Sequence, residues 1–235
     1  MYGGIRICSH NISVMKKQNP NIILKYGTAP LKVAVTGSAG SGKTAVCDRL
    51  KALGLEVINT DTLAREVVAP GSRGFKEIVN RFGPNVLQAD GSLNRSALRR
   101  TITSDEKARR SLENIIHPKI IERMEMEMAR AVKDGCTIIF VEVPLLFEAG
   151  WNDYFDVIVM VSADDETRIQ RLMARDNVSR HEARALLQIQ KPDHEKIQHS
   201  DFIIKNNGSG EQLAGEVDRF LKMFYQKYQK NDESA

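Results

Sequence analysis

Residues 37–44 have the sequence Gly37-Ser38-Ala39-Gly40-Ser41-Gly42-Lys43-Thr44, which fits the pattern G-x-x-x-x-G-K-[ST] without a mismatch. The preceding segment, Leu31–Thr36, is rich in β-branched residues and predicts a buried strand. The following segment, Ala45–Leu53, predicts a helix. A strand, a glycine-rich loop and a helix in this order are the context in which the pattern forms a phosphate-binding loop. The chain is therefore predicted to bind a nucleoside triphosphate.

The residue types of this loop explain how it would bind phosphate. Glycines allow the backbone to turn its N–H groups inward, and the N-terminus of the following helix adds a positive electrostatic potential that attracts phosphate. We expect Lys43 to neutralise the β- and γ-phosphates and the Thr44 hydroxyl to bind Mg²⁺. The predicted nucleotide contacts in the loop are Gly40, Ser41, Gly42, Lys43, Thr44 and Ala45.

Apolar strands and helical segments alternate along the rest of the chain. The predicted strands after the first are Leu55–Asn59, Thr137–Val143, Asp156–Val161 and Phe202–Ile204. Residues 62–134 contain almost no strand signal and predict a helical insertion. This pattern predicts an α/β fold of three layers, in which helices cover both faces of a parallel sheet. The nucleotide core would comprise residues 31–61 and 135–228.

Composition and charge exclude several classes of partner. The net charge is +4, but residues 1–30 contain four basic residues and no acid, which leaves 30 basic and 30 acidic residues in the rest of the chain. This balance gives no electrostatic reason to expect a nucleic-acid partner. No apolar run approaches the length of a membrane span, and the three cysteines are widely separated. We expect a cytoplasmic protein without a membrane contact.

The two ends of the chain differ from the predicted domain. Residues 1–30 have no clear periodicity and end in a proline just before the first strand, so we expect a disordered N-terminal extension. Residues 229–235 are polar and are expected to form a frayed tail. The predicted domain therefore covers residues 31–228.

Two carboxylates follow predicted strands at points where they can act on a nucleotide. Asp61 comes just after the second strand and can accept a proton from an attacking hydroxyl or orient it; the alternative is a helix N-cap. Glu142 ends the third strand, where a Mg²⁺-associated carboxylate is expected; the alternative is a strand-end charge that reaches solvent.

An arginine-rich segment follows the fourth strand. Arg168, Arg171 and Arg175 have helical spacing, which is consistent with a mobile lid over about residues 165–192 whose arginines stabilise charge on the transferring phosphoryl group. The alternative is a solvated helix face, because acidic residues lie among the arginines. A second ambiguous motif is His117-Pro118, which also fits the first turn of a helix.

Several separated segments together resemble the dephospho-coenzyme A kinase family. The loop alone is shared by many families, but the combination is much more specific and covers roughly residues 31–224. The segments are, in chain order, Val35–Thr44, Val57–Asp61 with Ala64-Arg65, Val68–Gly71, Arg81–Gly83, Asp90–Arg95, His117-Pro118, Val143–Glu148, Arg171–Asp176 and Asn206–Gly208.

The resemblance implies a P-loop kinase fold with a nucleotide core, a helical coenzyme-A domain and a lid. It implies transfer of the γ-phosphoryl group of ATP to the ribose 3′-hydroxyl of dephospho-coenzyme A. We expect Mg²⁺ to accompany the ATP, and we expect the protein to be a monomer or small homo-oligomer. The catalytic residues would be Asp61, Lys43 and Arg171. The implied nucleotide contacts outside the loop are Arg175, Asn206, Asn207 and Gly208, and the implied acceptor contacts are Asp61, Arg65, Arg95, His117, Pro144 and Leu145.

Two features depart from the family pattern, and two other functions remain open. Asn59 stands where the family commonly has a first acid, which leaves Asp61 as the single carboxylate there. Residues 1–30 have no counterpart. Another P-loop small-molecule kinase, such as a nucleoside monophosphate kinase or a shikimate kinase, would leave the Asp-Gly-x-Leu-x-Arg and His-Pro segments unexplained. A GTPase or nonenzymatic switch would require an Asn-Lys-x-Asp segment, which the chain does not contain.

Overall fold

A computed structural model of the chain describes residues 30–228. The predicted extension, apart from Pro30, and the predicted frayed tail lie outside the described residues. No helix within residues 30–228 is long and apolar enough to cross a membrane. The strands are β1 (Leu31–Thr36), β2 (Glu56–Asn59), β3 (Ile138–Glu142), β4 (Val157–Ser162) and β5 (Phe202–Lys205). The α-helices are α1 (Lys43–Ala52), α2 (Thr60–Glu66), α3 (Arg73–Phe82), α4 (Arg95–Ser104), α5 (Glu106–Lys133), α6 (Asp165–Asp176), α7 (Arg180–Gln188), α8 (Asp193–Gln198) and α9 (Gly210–Tyr228).

The five strands form one sheet in the order β2-β3-β1-β4-β5. β1 is central and pairs in parallel with β3 on one side and with β4 on the other. Val35 lies opposite Glu142 in β3 and opposite Val159 in β4, so the ends of all three strands meet at one edge. β4 also pairs in parallel with β5. The prediction of an α/β fold with a parallel sheet is confirmed.

Burial explains why these strands are almost entirely apolar. A parallel strand with helices over both faces has no solvent-facing side, so the usual alternation of polar and apolar residues is lost. Val33, Ala34 and Val35 are fully buried in β1. Phe140 of β3 is also fully buried and contacts two aromatic rings of α9, Phe220 and Phe224, at centroid distances of 6.4 and 5.9 Å. These contacts pack α9 against the sheet.

The chain divides into two compact units. Among the described residues, one unit comprises residues 30–58 and 130–228 and contains most of the sheet; the other is Asn59–Ala129. The second unit is helical and has an apolar core of its own, formed by Ile78, Val86, Leu93, Leu98 and Leu112. The assignment of a nucleotide core to residues 31–61 and 135–228, and of an acceptor-binding insertion to residues 62–134, stays a prediction.

Pro118 lies inside α5, a helix of 28 residues, and not in the first turn of a helix. The alternative interpretation of His117-Pro118 as a helix start is therefore wrong. A proline here has no N–H to donate to the carbonyl of Asn114 one turn earlier, and an interior proline costs about 3 kcal/mol in helix stability. The sequence on both sides continues the helix in spite of this cost.

We expect Phe140→Ala to lower the free energy of unfolding by about 3–5 kcal/mol, because it removes a fully buried ring from contact with two others. Chemical denaturation followed by circular dichroism measures this change. Ile189→Ala is the control, because that side chain is 78% exposed and its loss should change stability by less than about 0.5 kcal/mol. Equal effects of the two substitutions would contradict the packing described above.

Candidate functional site

The glycine-rich loop connects the end of β1 to the start of α1. Gly42 is the N-cap of α1 and has a φ of 89°, which favours glycine. The first amide N–H groups of any α-helix have no partner within the helix, and in α1 they lie at the loop. The ammonium of Lys43 donates to the carbonyl oxygens of Gly37 and Ser38, at 2.6 and 3.3 Å. The loop therefore presents both of the groups that bind phosphate, backbone amides and a lysine.

Gly40 is required by a close backbone approach as well as by its positive φ of 75°. A Cβ atom at this position would lie 2.7 Å from the carbonyl oxygen of Arg168 in α6. Since that neighbour is backbone, a side chain could not be accommodated by a rotamer change. The middle of the loop is therefore held directly against α6.

A hydroxyl and a carboxylate lie together beside the loop. The Oγ1 atom of Thr44 donates to Oε1 of Glu142 at 2.9 Å. Glu142 is only 3% exposed, so the alternative that its charge reaches solvent is wrong. No group of three His, Cys, Asp or Glu side chains that could hold a metal ion occurs within residues 30–228. A cation bound to Thr44 and Glu142 would therefore need further oxygen ligands from a bound phosphate or from water.

Arg171 and Asn206 both contact the loop backbone. The Nη1 atom of Arg171 donates to the carbonyl oxygens of Gly40 and Ser41, each at 3.4 Å, and its Nη2 atom donates to Oδ1 of Asn206 at 3.3 Å. The amide of Asn206 in turn donates to the Ser41 carbonyl at 2.8 Å. A predicted catalytic residue, Arg171, and a predicted nucleotide contact, Asn206, are thus brought together at the loop, although they lie 35 residues apart in the chain.

The neighbours of Asn206 have other contacts. Asn207 accepts a hydrogen bond through its side chain from the backbone N–H of Asp164, just before α6, at 2.8 Å. Gly208 lies against Gln212, whose side chain occupies the space that a Cβ atom would need. The short segment that joins β5 to α9 is therefore tied to the start of α6 on one side and to α9 on the other.

The three arginines of α6 have three different environments. Arg168 is buried and donates to the Ala39 carbonyl at 3.2 Å, so the solvated-face alternative fails for this residue. Arg171 faces the loop, as described above. Arg175 is exposed and pairs with Asp176 at 2.8 Å. The prediction that Arg175 contacts the nucleotide is not tested by this geometry and stays a prediction.

A largely buried network of ion pairs contacts the phosphate loop, and it was not predicted from the sequence. It consists of Arg168, Asp193, Lys196 and Glu148, and it meets the loop at the hydroxyl of Ser38. Lys196 is 2% exposed, and its ammonium lies 2.7 Å from Oε1 of Glu148. The surrounding sequence is rich in charge and lacks apolar periodicity, so it indicates a surface segment. Pro192, just before α8, was the available signal, and it marks only a helix start.

Asp61 lies in the first turn of α2, but it is not the N-cap. That position is occupied by Asn59, whose side chain accepts a hydrogen bond from the backbone N–H of Thr62 at 3.0 Å. The N-cap alternative for Asp61 is therefore wrong, and Asn59 has a local structural role where the family commonly has an acid. Asp61 is exposed, and within residues 30–228 its carboxylate has no hydrogen bond or ion pair.

Arg65 and Arg95 line one cavity in the helical unit. Its volume is about 450 Å³, and its other polar lining residues include Gln88, Asn94 and Ser96. A second cavity of about 660 Å³ shares four lining residues with the first, Val68, Leu93, Arg95 and Ser96. It is lined mainly by apolar residues, namely Ala64, Val68, Ile78, Leu93, Leu98, Ile102, Leu112 and Ile116. The structure therefore brings two of the predicted acceptor contacts together, at a polar cavity that continues into an apolar one.

Three further predicted acceptor contacts are His117, Pro144 and Leu145. His117 is not among the residues that line either cavity. Burial lowers the pKa of His117, with a smaller opposing effect from Glu113, and this favours the neutral imidazole. Pro144 and Leu145 follow β3, and the side chain of Leu145 is about half exposed. Their predicted contact with the acceptor remains untested by these positions.

The site combines a phosphate-binding loop at the end of a central parallel strand with a Thr–carboxylate pair and an arginine from a later helix. This combination defines the class of P-loop kinases. Comparison with known proteins agrees with this class and identifies one family within it. The sequence profile of the family described as dephospho-CoA kinase matches residues 31–212, and the chain belongs to this family.

Individual relatives support the same assignment. A dephospho-CoA kinase from Syntrophotalea carbinolica is 41% identical over 187 residues, which cover 80% of this chain and 89% of that protein. The crystal structure of TT1252 from Thermus thermophilus has a TM-score of 0.75 and 31% identity, and covers 86% of this chain and 100% of its own. The structure of dephospho-CoA kinase from Campylobacter jejuni has a TM-score of 0.62 and 27% identity, with 83% and 98% coverage.

We expect Gly40→Ala to weaken ATP binding by about tenfold or more, because the added Cβ would push the loop away from α6 and misplace its amides. A titration with ATP, followed by calorimetry, measures this change. Gly150→Ala is the matched control: its φ of 68° carries a similar backbone cost, but nothing lies within 4 Å of the added Cβ. If both variants bound ATP equally well, the close approach to α6 would not matter for binding.

Proposed function

We propose that this chain transfers the γ-phosphoryl group of ATP to the ribose 3′-hydroxyl of dephospho-coenzyme A and releases coenzyme A and ADP. The observation that carries the proposal is the membership of residues 31–212 in the dephospho-CoA kinase family. The position of Lys43, Thr44 and Arg171 at one phosphate loop supports it, because these are the residue types that phosphoryl transfer requires.

In the proposed reaction the acceptor oxygen forms a bond to the γ-phosphorus. The bond from the γ-phosphorus to the β–γ bridging oxygen breaks, and ADP leaves with that electron pair. The hydroxyl proton passes to a carboxylate base. Negative charge is spread over the three equatorial oxygens of the transferring group, so the protein contributes mainly by positioning and by electrostatic stabilisation.

Lys43 and Arg171 are the proposed sources of this stabilisation. Their cationic groups contact adjacent carbonyls of the loop, Gly37 and Ser38 for Lys43 and Gly40 and Ser41 for Arg171. Both charges therefore lie at the loop, where its own backbone contacts hold them. A preorganised charge of this kind costs little reorganisation when the transition state forms. The other proposed nucleotide contacts are the loop backbone from residue 40 to residue 45, Arg175, Asn206, Asn207 and Gly208.

The proposal includes Mg²⁺, which Thr44 and Glu142 would hold. Their oxygens are of the type that Mg²⁺ prefers, and their separation of 2.9 Å allows both to lie beside one ion, directly or through water. A bound Mg²⁺ would neutralise charge on the β- and γ-phosphates. One or two protein ligands are sufficient, because Mg²⁺ at a nucleotide normally takes its remaining ligands from phosphate and water.

Asp61 is the proposed base or orienting carboxylate. Three features support this role: it lies two residues after the end of β2, it is exposed, and its carboxylate is not used as a helix cap. An acceptor hydroxyl within hydrogen-bond reach of this carboxylate could lose its proton as the bond to phosphorus forms. Because Asn59 cannot ionise, the proposal assigns this task to Asp61 alone.

The two cavities of the helical unit are the proposed acceptor site. Arg65 and Arg95 offer planar guanidinium groups, which suit the diphosphate of dephospho-coenzyme A. His117, Pro144 and Leu145 are kept as further proposed contacts. We also propose a cytoplasmic location, a monomer or small homo-oligomer, and no nucleic-acid partner, in line with the balanced charge of residues 31–235.

The acceptor is tested with purified protein, ATP and Mg²⁺ against a panel of hydroxyl compounds, with ADP release as the signal. We expect turnover with dephospho-coenzyme A and none above background with AMP or shikimate. Mass spectrometry of the product should show one added phosphoryl group. Turnover with AMP or shikimate instead would favour the alternative of another small-molecule kinase, and ATP binding without turnover on any acceptor would contradict an enzymatic role.

We expect Asp61→Asn to lower kcat by about 10²–10⁴-fold, because the amide cannot accept the hydroxyl proton. ATP affinity should change by less than about twofold, since the substitution keeps the size of the side chain and leaves the phosphate loop intact. Steady-state kinetics and an ATP titration measure the two quantities. Glu211→Gln, an exposed acid in the first turn of α9, is the control for loss of a charge near a helix start. A kcat near that of the unsubstituted protein would show that Asp61 is not the base.

A further inference from the structure

Lys196 is a buried cation beside the phosphate loop, and it has no role in the proposed reaction. Its side chain is 1% exposed, whereas that of its partner Glu148 is 22% exposed. The ammonium donates to the hydroxyl of Ser38 at 3.1 Å and pairs with Glu148 at 2.7 Å. Burial of a lysine charge is unfavourable unless strong partners compensate it, so its position at a functional loop calls for an explanation.

Ser38 is held by charges on both sides. Its hydroxyl accepts a hydrogen bond from Lys196 and donates one to the carboxylate of Asp193. Asp193 also accepts from the buried guanidinium of Arg168 at 3.1 Å. The hydroxyl thus donates one hydrogen bond and accepts one, each with an ionised partner. These bonds fix the direction of the hydroxyl more strongly than bonds to neutral partners would.

The next loop residue is held from the same segment. The backbone N–H of Ala39 donates to the side-chain carbonyl of Gln190 at 2.7 Å, and the Ala39 carbonyl accepts from Arg168 at 3.2 Å. Two consecutive loop residues are therefore held by residues 190–196, which lie about 150 positions later in the chain.

The Ser38 contact reaches the phosphate-binding groups through the loop backbone. The Ser38 carbonyl accepts from the Lys43 ammonium at 3.3 Å and from the backbone N–H of Ser41 at 3.1 Å. A shift of Ser38 would therefore move the support of Lys43 and the turn that leads into Gly42. We propose that Lys196 is a positioning residue for the phosphate loop, which acts through Ser38 to hold Lys43 and the loop amides in the geometry that binds ATP.

Lys196→Met tests this proposal, because it keeps an unbranched apolar side chain of nearly the same length and removes the ammonium. We expect the Kd for ATP, measured by calorimetry without an acceptor, to rise by about tenfold or more, as is usual when a group that supports a binding residue is lost. In turnover assays KM for ATP should rise in parallel, whereas KM for the acceptor should change by less than about twofold. Because ATP binding is measured without an acceptor, a wrong acceptor assignment would not affect this result.

Lys119→Met is the matched control. Lys119 forms a 2.6 Å ion pair with Glu77, its side chain is 15% exposed, and both residues belong to the helical unit. Its loss removes another largely buried, ion-paired ammonium, which belongs to a different unit of the protein. Both methionine variants should lower the melting temperature, but only Lys196→Met should weaken ATP binding. A folded Lys196→Met protein with unchanged ATP affinity would overturn the proposal.

Ser38→Ala provides the second test, because it leaves the Lys196–Glu148 ion pair in place. We expect this variant alone to weaken ATP binding. If Lys196 acts through Ser38, the double variant should bind ATP no more weakly than Lys196→Met. Effects of the two substitutions that multiply would mean that Lys196 acts by another route. If Lys196→Met fails to fold, Ser38→Ala decides alone: unchanged ATP affinity in that variant rejects the proposal.

Discussion

The phosphate loop depends on its neighbours for its shape, and this dependence organises the sheet-containing unit. Three of its first six residues are glycine, so the loop has few side chains that could stabilise its own turns. Its conformation is imposed by contacts from outside: the backbone of α6 against Gly40, the amide of Asn206 on Ser41, and charged partners on Ser38. The loop is therefore a binding surface whose shape is set by later segments of the chain.

The parts of the fold and of the site that depend on residues close together in the chain could be predicted from the sequence. The strand, loop and helix over residues 31–52 follow from a short pattern, and the apolar strands follow from burial on both faces of the sheet. Glu142 could be assigned to the end of β3 because an acid after a run of apolar residues is conspicuous. Its hydrogen bond to Thr44 spans 98 positions and required the structure.

The failures share a cause, which is that local pattern does not record tertiary contacts. Pro118 was compatible with a helix start by its own chemistry, yet α5 continues through it. Asp61 was an acceptable N-cap, but Asn59 two positions earlier takes that role. The sequence places Arg168 in an exposed or nucleotide-facing row, but two of its contacts, Ala39 and Asp193, lie 129 and 25 positions away. Lys196 gave no signal at all, because a lysine among polar residues resembles any other surface lysine.

The ionic network is better explained by positioning than by stability. A buried ion pair recovers its desolvation cost only with good geometry, and well-packed apolar residues of similar volume are often as stabilising or more so. On stability grounds alone, the four members of the network could therefore be replaced together by apolar side chains that would fill the same space. Apolar contacts, however, are not directional, and they would leave the Ser38 hydroxyl free to rotate and the Ala39 carbonyl without a donor. Charged hydrogen bonds specify both the distance and the direction of each loop group. A loop that must present its backbone amides to phosphate also needs precise positions for Ser38 and Ala39, because these residues support the amides.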